Sequence, residues 1–202
     1  IPVLLLKNGR MVKGKNFKNY IDTGDPNKAV DIYSSQDADE LIFINISKDD
    51  ISKKKFLEIL NRSSKECIMP LCAGGGITNS EDVKELIELG ADKVLLNTIL
   101  TTDLSIIKDI SSKFGAQCIV AAIDYKRNNK TGELEVWSNC GKVLTNLNFF
   151  DHVQNIERLG VGEIFINSID CDGMMSGYDI EISKIVSEKF NTPTIFSGGA
   201  GN

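Results

Sequence analysis

The sequence predicts an α/β fold: a (β/α)8, or TIM, barrel built from two half-barrel repeats, with residues 1–202 as a single domain. Three observations predict it. Short apolar runs without polar alternation recur along the chain, the clearest being Cys118-Ile119-Val120-Ala121-Ala122-Ile123. Such runs suit parallel strands covered on both faces. The runs alternate with segments of helical spacing, as crossover-joined parallel strands require. Finally, three motifs repeat in the same order. Leu5-Leu6-Lys7 answers Asp124-Tyr125-Lys126 at an offset of 119, Glu40-Leu41-Ile42-Phe43-Ile44-Asn45 answers Glu163-Ile164-Phe165-Ile166-Asn167 at 123 with one residue slipped, and Ala73-Gly74-Gly75 answers Ser197-Gly198-Gly199 at 124. Two four-strand halves closing into a barrel explain such a repeat, whereas a doubly wound sheet has no reason for it. Seven strands are expected. The eighth βα unit, whose strand would answer the one ending at Asn97-Thr98, is not present in this chain.

In chain order, Pro2 to Leu6 reads as the first strand, and Lys7 to Asp25 as a long basic loop, a kind usually functional or mobile. Asp25-Pro26 opens a helix, with Pro in its first turn, that runs to about Ser35. Leu41 to Ile46 is the second strand, and Ile51 to Leu60 has helical spacing. Cys67 to Cys72 is the third strand, closed by Ala73-Gly74-Gly75-Gly76. Asn79 to Asp82 caps a helix that ends at Gly90. Lys93 to Leu96 is a strand, Asp103 to Phe114 a helix, and Cys118 to Ile123 the fifth strand. Asn128-Asn129 and Thr131-Gly132 mark turns around Glu133 to Trp137, an excursion read as a hairpin. Leu147 to Leu159 is helical, Glu163 to Asn167 the sixth strand, Ile180 to Phe190 helical, and Thr192 to Phe196 the seventh strand.

Composition narrows the function classes. Apolar residues make up 42% and charged residues 25%, as in ordinary globular proteins. A net charge of −5 gives no reason to expect nucleic acid or an anionic membrane as partner. No apolar run is long enough to span a bilayer, and no signal-like segment opens the chain. Cys67, Cys72, Cys118, Cys140 and Cys171 form no C-x-x-C pair, which points to reduced thiols in a cytoplasm. With His152 as the one histidine, no metal site and no cofactor are expected.

Chemistry is expected at the strand ends, where parallel α/β folds bind ligands. The fifth strand delivers Asp124 there, followed by Lys126 and Arg127. Gly74-Gly75-Gly76 and Gly198-Gly199-Ala200-Gly201 close strands three and seven. Glycine lets backbone approach an anion, and helix N-termini aim N–H groups at it. One such loop in each half suits a substrate with a phosphate at each end.

Lys7-Asn8-Gly9-Arg10-x-Val12-Lys13-Gly14, Gly24-Asp25-Pro26, Asp39-Glu40-Leu41, Gly74-Gly75-Gly76-Ile77, Gly90-Ala91-Asp92-Lys93-Val94, Asn97-Thr98, Ala122-Ile123-Asp124, Gly162-Glu163-Ile164, Asp170-x-Asp172-Gly173-x-x-Ser176-Gly177-Tyr178-Asp179 and Ser197-Gly198-Gly199-Ala200-Gly201 resemble the cyclase subunit of imidazole glycerol phosphate synthase, from the first residue to the last. The resemblance implies a barrel that takes ammonia from a glutaminase subunit docked at its N-terminal face. At the other face, ammonia cleaves and cyclises a doubly phosphorylated aminoimidazole ribonucleotide. Residue by residue, it implies that Asp124 is the strand-five acid/base group and Lys13 the lysine of the first loop that closes on substrate. Gly76, Asn97 and Thr98 match one phosphate site, Asp172, Gly173 and Gly199 match positions around the other, and Ser197 lines the mouth. Glu40, Lys93 and Glu163 match three of four charged residues that gate ammonia.

One departure stands out. The family's first strand ends in an Asp that works with the strand-five Asp, and this sequence has Leu5 there. Asn45 also stands where the family carries another Asp. A leucine transfers no proton, and such groups contribute ~10²–10⁴-fold. Loss of charge at the mouth with retained phosphate loops suggests a diverged relative. Its role would be to channel ammonia from a glutaminase to an amidotransferase that builds acetamidino groups on bacterial surface sugars. A third alternative, the sister barrel that isomerises a similar bisphosphate, is disfavoured by Lys7 to Arg10 and by the Glu40, Lys93 and Glu163 set.

Overall fold

The computed structural model describes residues 1–201. The fold is α/β, with a mostly parallel set of strands and, among the described residues, six α-helices in the element order of a (β/α)8 barrel. The chain forms two compact units. One holds Ile1–Lys13 and Ile21–Leu96, the other Gly14–Tyr20 and the chain from Asn97 onward.

In the first unit, β1 (Val3–Lys7), β4 (Leu41–Asn45), β5 (Leu71–Gly74) and β6 (Lys93–Leu96) pair in parallel in that order. α1 (Pro26–Ser35), α2 (Asp50–Glu66) and α3 (Ser80–Glu88) connect them. Each helix begins on a side chain that accepts from its first-turn amides: Asp25, Asp49 and Asn79. These caps satisfy orphan N–H groups. Leu41, Ile42 and Phe43 are wholly buried, which explains why β4 reads as an unbroken apolar run.

In the second unit, β7 (Ile119–Arg127), β10 (Glu163–Ser168) and β11 (Thr194–Ser197) are parallel neighbours. α4 (Ser105–Phe114), α5 (Phe149–Leu159) and α6 (Ile180–Lys189) lie between or before them in sequence. The expected excursion is present: β8 (Leu134–Ser138) pairs antiparallel with β7 and with β9 (Val143–Asn148). His152 is on the buried side of α5 with Phe149, Val153 and Ile156. Burial pushes its imidazole down to about 4.

The repeat now has a structural form. Each unit begins with a parallel strand, β1 or β7, that carries an antiparallel partner, β2 (Arg10–Lys15) or β8. Each has a glycine loop after its third parallel strand.

Four expectations shift. The fifth strand does not stop at Ile123 but runs to Arg127, because Asp124 to Arg127 pair antiparallel with β8. Lys7 to Asp25 is not a loop but contains β2 and β3 (Lys18–Gly24). Asn8 and Gly9 at φ 54° and 79°, and Asn16 and Phe17 at 50° and 59°, make its two turns. Left-handed residue pairs of this kind close tight hairpins. The third strand starts at Leu71 rather than Cys67, because α2 continues to Glu66. The segment before α4 begins as a 3-10 turn over Thr98–Thr101.

Candidate active site

The geometry in the second unit centres on Asp124. It occupies β7, with parallel register placing it beside Asn167 of β10, and Asn167 beside Ser197 of β11. Asp124 is buried. Asn167 Nδ2 donates to its Oδ1 at 3.4 Å, and Asn97 Nδ2 donates to its Oδ2 at 3.1 Å. The Asn97 amide also donates to the Ala122 carbonyl at 3.2 Å, which fixes its orientation.

Burial pushes the Asp124 carboxyl up to about 7. The two amides pull the other way, and the Asp172 charge adds to the rise. A carboxyl that titrates near neutrality both takes and returns protons at working pH, which is what acid/base chemistry asks of it. Tyr20 belongs to the same unit. Its hydroxyl is pushed up to about 12, by burial first and then by Cys140, Asp172 and Asp124. It is therefore a neutral O–H under ordinary conditions.

Asp172 and Gly173 lie on the loop after β10, and residues 14–20 pack on it. Asn16 N donates to the Asp172 carbonyl at 2.9 Å, and Phe17 N to the Asp172 carboxylate at 3.3 Å. Asn16 Nδ2 donates to the carbonyls of Ile169 and Asp170 at 3.0 and 2.7 Å. Gly173 has φ 68°, and a Cβ there would stand 2.1 Å from the Gly14 carbonyl oxygen, so only glycine fits. Gly199 is buried, and its carbonyl accepts from Gly177 N at 2.8 Å. The loop from Asp170 to Asp179 is tied to β7 at both ends. Arg127 N donates to Asp170 at 2.8 Å, and Tyr125 Oη to Asp179 at 3.0 Å. The Thr98 hydroxyl is exposed and accepts from Asn139 N at 3.2 Å.

In the first unit, Glu40 is buried and accepts from Lys93 Nζ at 2.8 Å. A pair this shielded loses heavily if either partner is removed, because the other is left as a buried charge. Lys13 is exposed on β2. Leu5 is half-buried on β1, in register with Ile44 and Val12. Gly75 and Gly76 differ. A Cβ on Gly75 would meet the Asn45 carbonyl at 2.1 Å, whereas nothing stands within 4 Å of one on Gly76. Gly76 is thus the loop glycine with space above it.

Within the second unit, then, Asn97 joins Asp124, and Asp172 joins Gly173. In the first unit, Glu40 joins Lys93. Glu163 begins β10. Asn167 and Tyr20 were not among the expected site residues. The signal for Asn167 was available, since like Asn97 and Asp124 it is a polar residue closing an apolar run, but only the register places it against the carboxylate.

A family profile described as "Histidine biosynthesis protein" matches residues 1–202. The chain belongs to this family. Two relatives named "Imidazole glycerol phosphate synthase subunit HisF", from Dehalococcoides mccartyi strains BAV1 and CBDB1, are 43% and 42% identical to it. Each match covers 202 residues, which is all of this chain and 79% of the relative. Family membership agrees with the α/β fold and with the recurrent strand-end motifs. No helix among the described residues is long and apolar enough to cross a membrane.

Proposed function

We propose that this protein is the ammonia-using cyclase subunit of an imidazole glycerol phosphate synthase, acting on a bisphosphate ribonucleotide as one barrel-type domain over residues 1–202. The observation that carries this reading is Asp124: a buried carboxylate near the end of the parallel pairing of β7 with β10, held by two amides and titrating near 7. Asp124 moves the protons that ammonia addition and ring closure require. Gly76, Asn97 and Thr98 bind one phosphate, and Asp172, Gly173 and Gly199 the other, with Ser197 at the mouth and Lys13 closing with the first hairpin. A glutaminase subunit supplies ammonia, and Glu40, Lys93 and Glu163 gate its passage.

The test gives the purified protein ammonium ions and the family's bisphosphate substrate. Formation of imidazole glycerol phosphate and aminoimidazole carboxamide ribotide is the expected result. Saturable bisphosphate binding with no product would reject the cyclase. Mixing with a cognate glutaminase should raise glutamine hydrolysis, and no stimulation by any encoded partner would reject the docking part.

Leu5 favours a second reading, an ammonia-conducting subunit for an amidotransferase that modifies surface sugars. The names of the two relatives support the first reading over it.

A further inference from the structure

Asn167 is a strange residue to find on the inner part of a sheet. Its Oδ1 is buried and has no hydrogen bond among the described residues. A buried acceptor left without a partner is destabilising, and such groups in folded proteins call for an explanation. Its side chain's one hydrogen bond among the described residues is the donation from Nδ2 to Asp124. That contact is built into the backbone. Parallel register sets Asn167 beside Asp124 on adjacent strands, so both side chains emerge at the same level and on the same face of the sheet.

We propose that Asn167 is a positioning residue for Asp124. With Asn97 it grips the carboxylate from both sides, one amide on each oxygen, and keeps it from turning. This inference rests on the cyclase reading for its kinetic consequence only.

The groups facing Asp124 explain why a clamp is needed. Asp172 and Tyr20 act on it electrostatically, from the loop after β10 and from β3. Trp137 of β8 is opposite it in register. Neither Asp172 nor Tyr20 supplies a positive charge to hold the ionised form. Neutral amide donors are what stabilise it, and they do so without locking it into an ion pair that would abolish its basicity. Two donors on two different strand ends also fix the plane of the carboxylate, as a single donor does not.

The experiment replaces the donor and reads the carboxyl directly. Native protein, Asn167→Leu and Asn167→Thr are titrated by carboxyl difference infrared spectroscopy, with Asp124→Asn identifying the band. Loss of the donor should raise proton affinity at Asp124 about ten-fold in Asn167→Leu, the scale of one hydrogen bond to a charged group. Asn167→Thr keeps a hydroxyl donor and should return the midpoint towards the native one. It also serves as the reporting variant if Asn167→Leu fails to fold, its midpoint then falling within a few tenths of a pH unit above native. An unmoved midpoint in Asn167→Leu, or a Thr variant shifted as far as Leu, overturns the proposal. Kinetically, Asn167→Leu should lower kcat far more than it raises KM, and the pH limb of kcat should move upward with the infrared midpoint. A midpoint that moves in protein lacking cyclase activity would leave the clamp standing and reject the function. Cyclase activity with an unmoved midpoint would do the reverse.

Discussion

Asp124 carries a stability cost that the pH dependence of folding will expose. Its carboxyl titrates near 7 in the folded chain against 3.8 ordinarily. Well below pH 4 it is protonated in both states and contributes no pH dependence. Between pH 4 and 7 the unfolded chain releases a proton that the folded chain retains, so stability falls as pH rises. Asp124→Asn, which mimics the protonated acid, should therefore leave the melting temperature nearly unchanged at pH 4 and raise it by several degrees at pH 8. Thermal unfolding at the two pH values checks this, and an equal shift at both would rule it out. The residue was legible in sequence because it ends an unbroken apolar run, where a charge is conspicuous. Asn167 and Tyr20 were not, because a polar residue beside a turn is common and only the register or the fold of the first hairpin brings it to the carboxylate.

Elements differ in how openly the sequence declares them. β4, β7 and β10 are buried on both faces, so burial writes itself into the sequence as continuous hydrophobicity. β2 and β3 carry the opposite signature. Arg10, Lys13, Lys15 and Lys18 are exposed, β2 buries only Val12 and Gly14, and the strands rest more on pairing and on two left-handed turns than on a broad apolar face. The Asn8-Gly9 pair was the available signal. Phe17 is a bulky residue at φ 59°, and no propensity rule anticipates it there. The glycine loop after β5 was legible as a motif, but the separate tasks of its glycines were not. Gly75→Ala should destabilise by roughly 3 kcal/mol or more, since its Cβ would collide with the Asn45 backbone as well as adopt φ 106°. Gly76→Ala faces open space and should cost only about 1–2 kcal/mol from its φ of 74°. If the proposed phosphate site includes this loop, it should nevertheless weaken bisphosphate binding, because the new methyl occupies the approach to the loop. Urea titration and bisphosphate titration of the two variants separate the effects. Equal destabilisation would remove the distinction.

At the scale of the molecule, the duplication was readable because it preserves order and spacing, whereas the division of labour between the copies shows only in particular residues. The strand that opens the second repeat carries a buried carboxylate, and its counterpart 119 residues earlier is Leu5. Family resemblance places a second acid/base Asp at that position. On the proposed cyclase reading, Leu5 leaves Asp124 to serve both proton transfers, and slow turnover is the expected outcome. Leu5→Asp should raise kcat with free ammonia by about 10–10²-fold, at the lower end of what a positioned proton-transfer group supplies. The gain is held below the full range because a group displaced by about 1 Å forfeits ~10²-fold. Leu5 is also half-buried against Ile44 and Val12, so the new carboxylate weakens the packing of β1. Thermal unfolding measured alongside distinguishes a poorly folded variant from a poorly catalytic one. If the native chain cyclises as fast as its Dehalococcoides relatives and Leu5→Asp adds nothing, then Asp124, held by Asn97 and Asn167, performs both transfers alone. Slow native turnover that the substitution leaves unchanged would instead locate the deficit at another lost charge, with Asn45 the first position to restore to Asp.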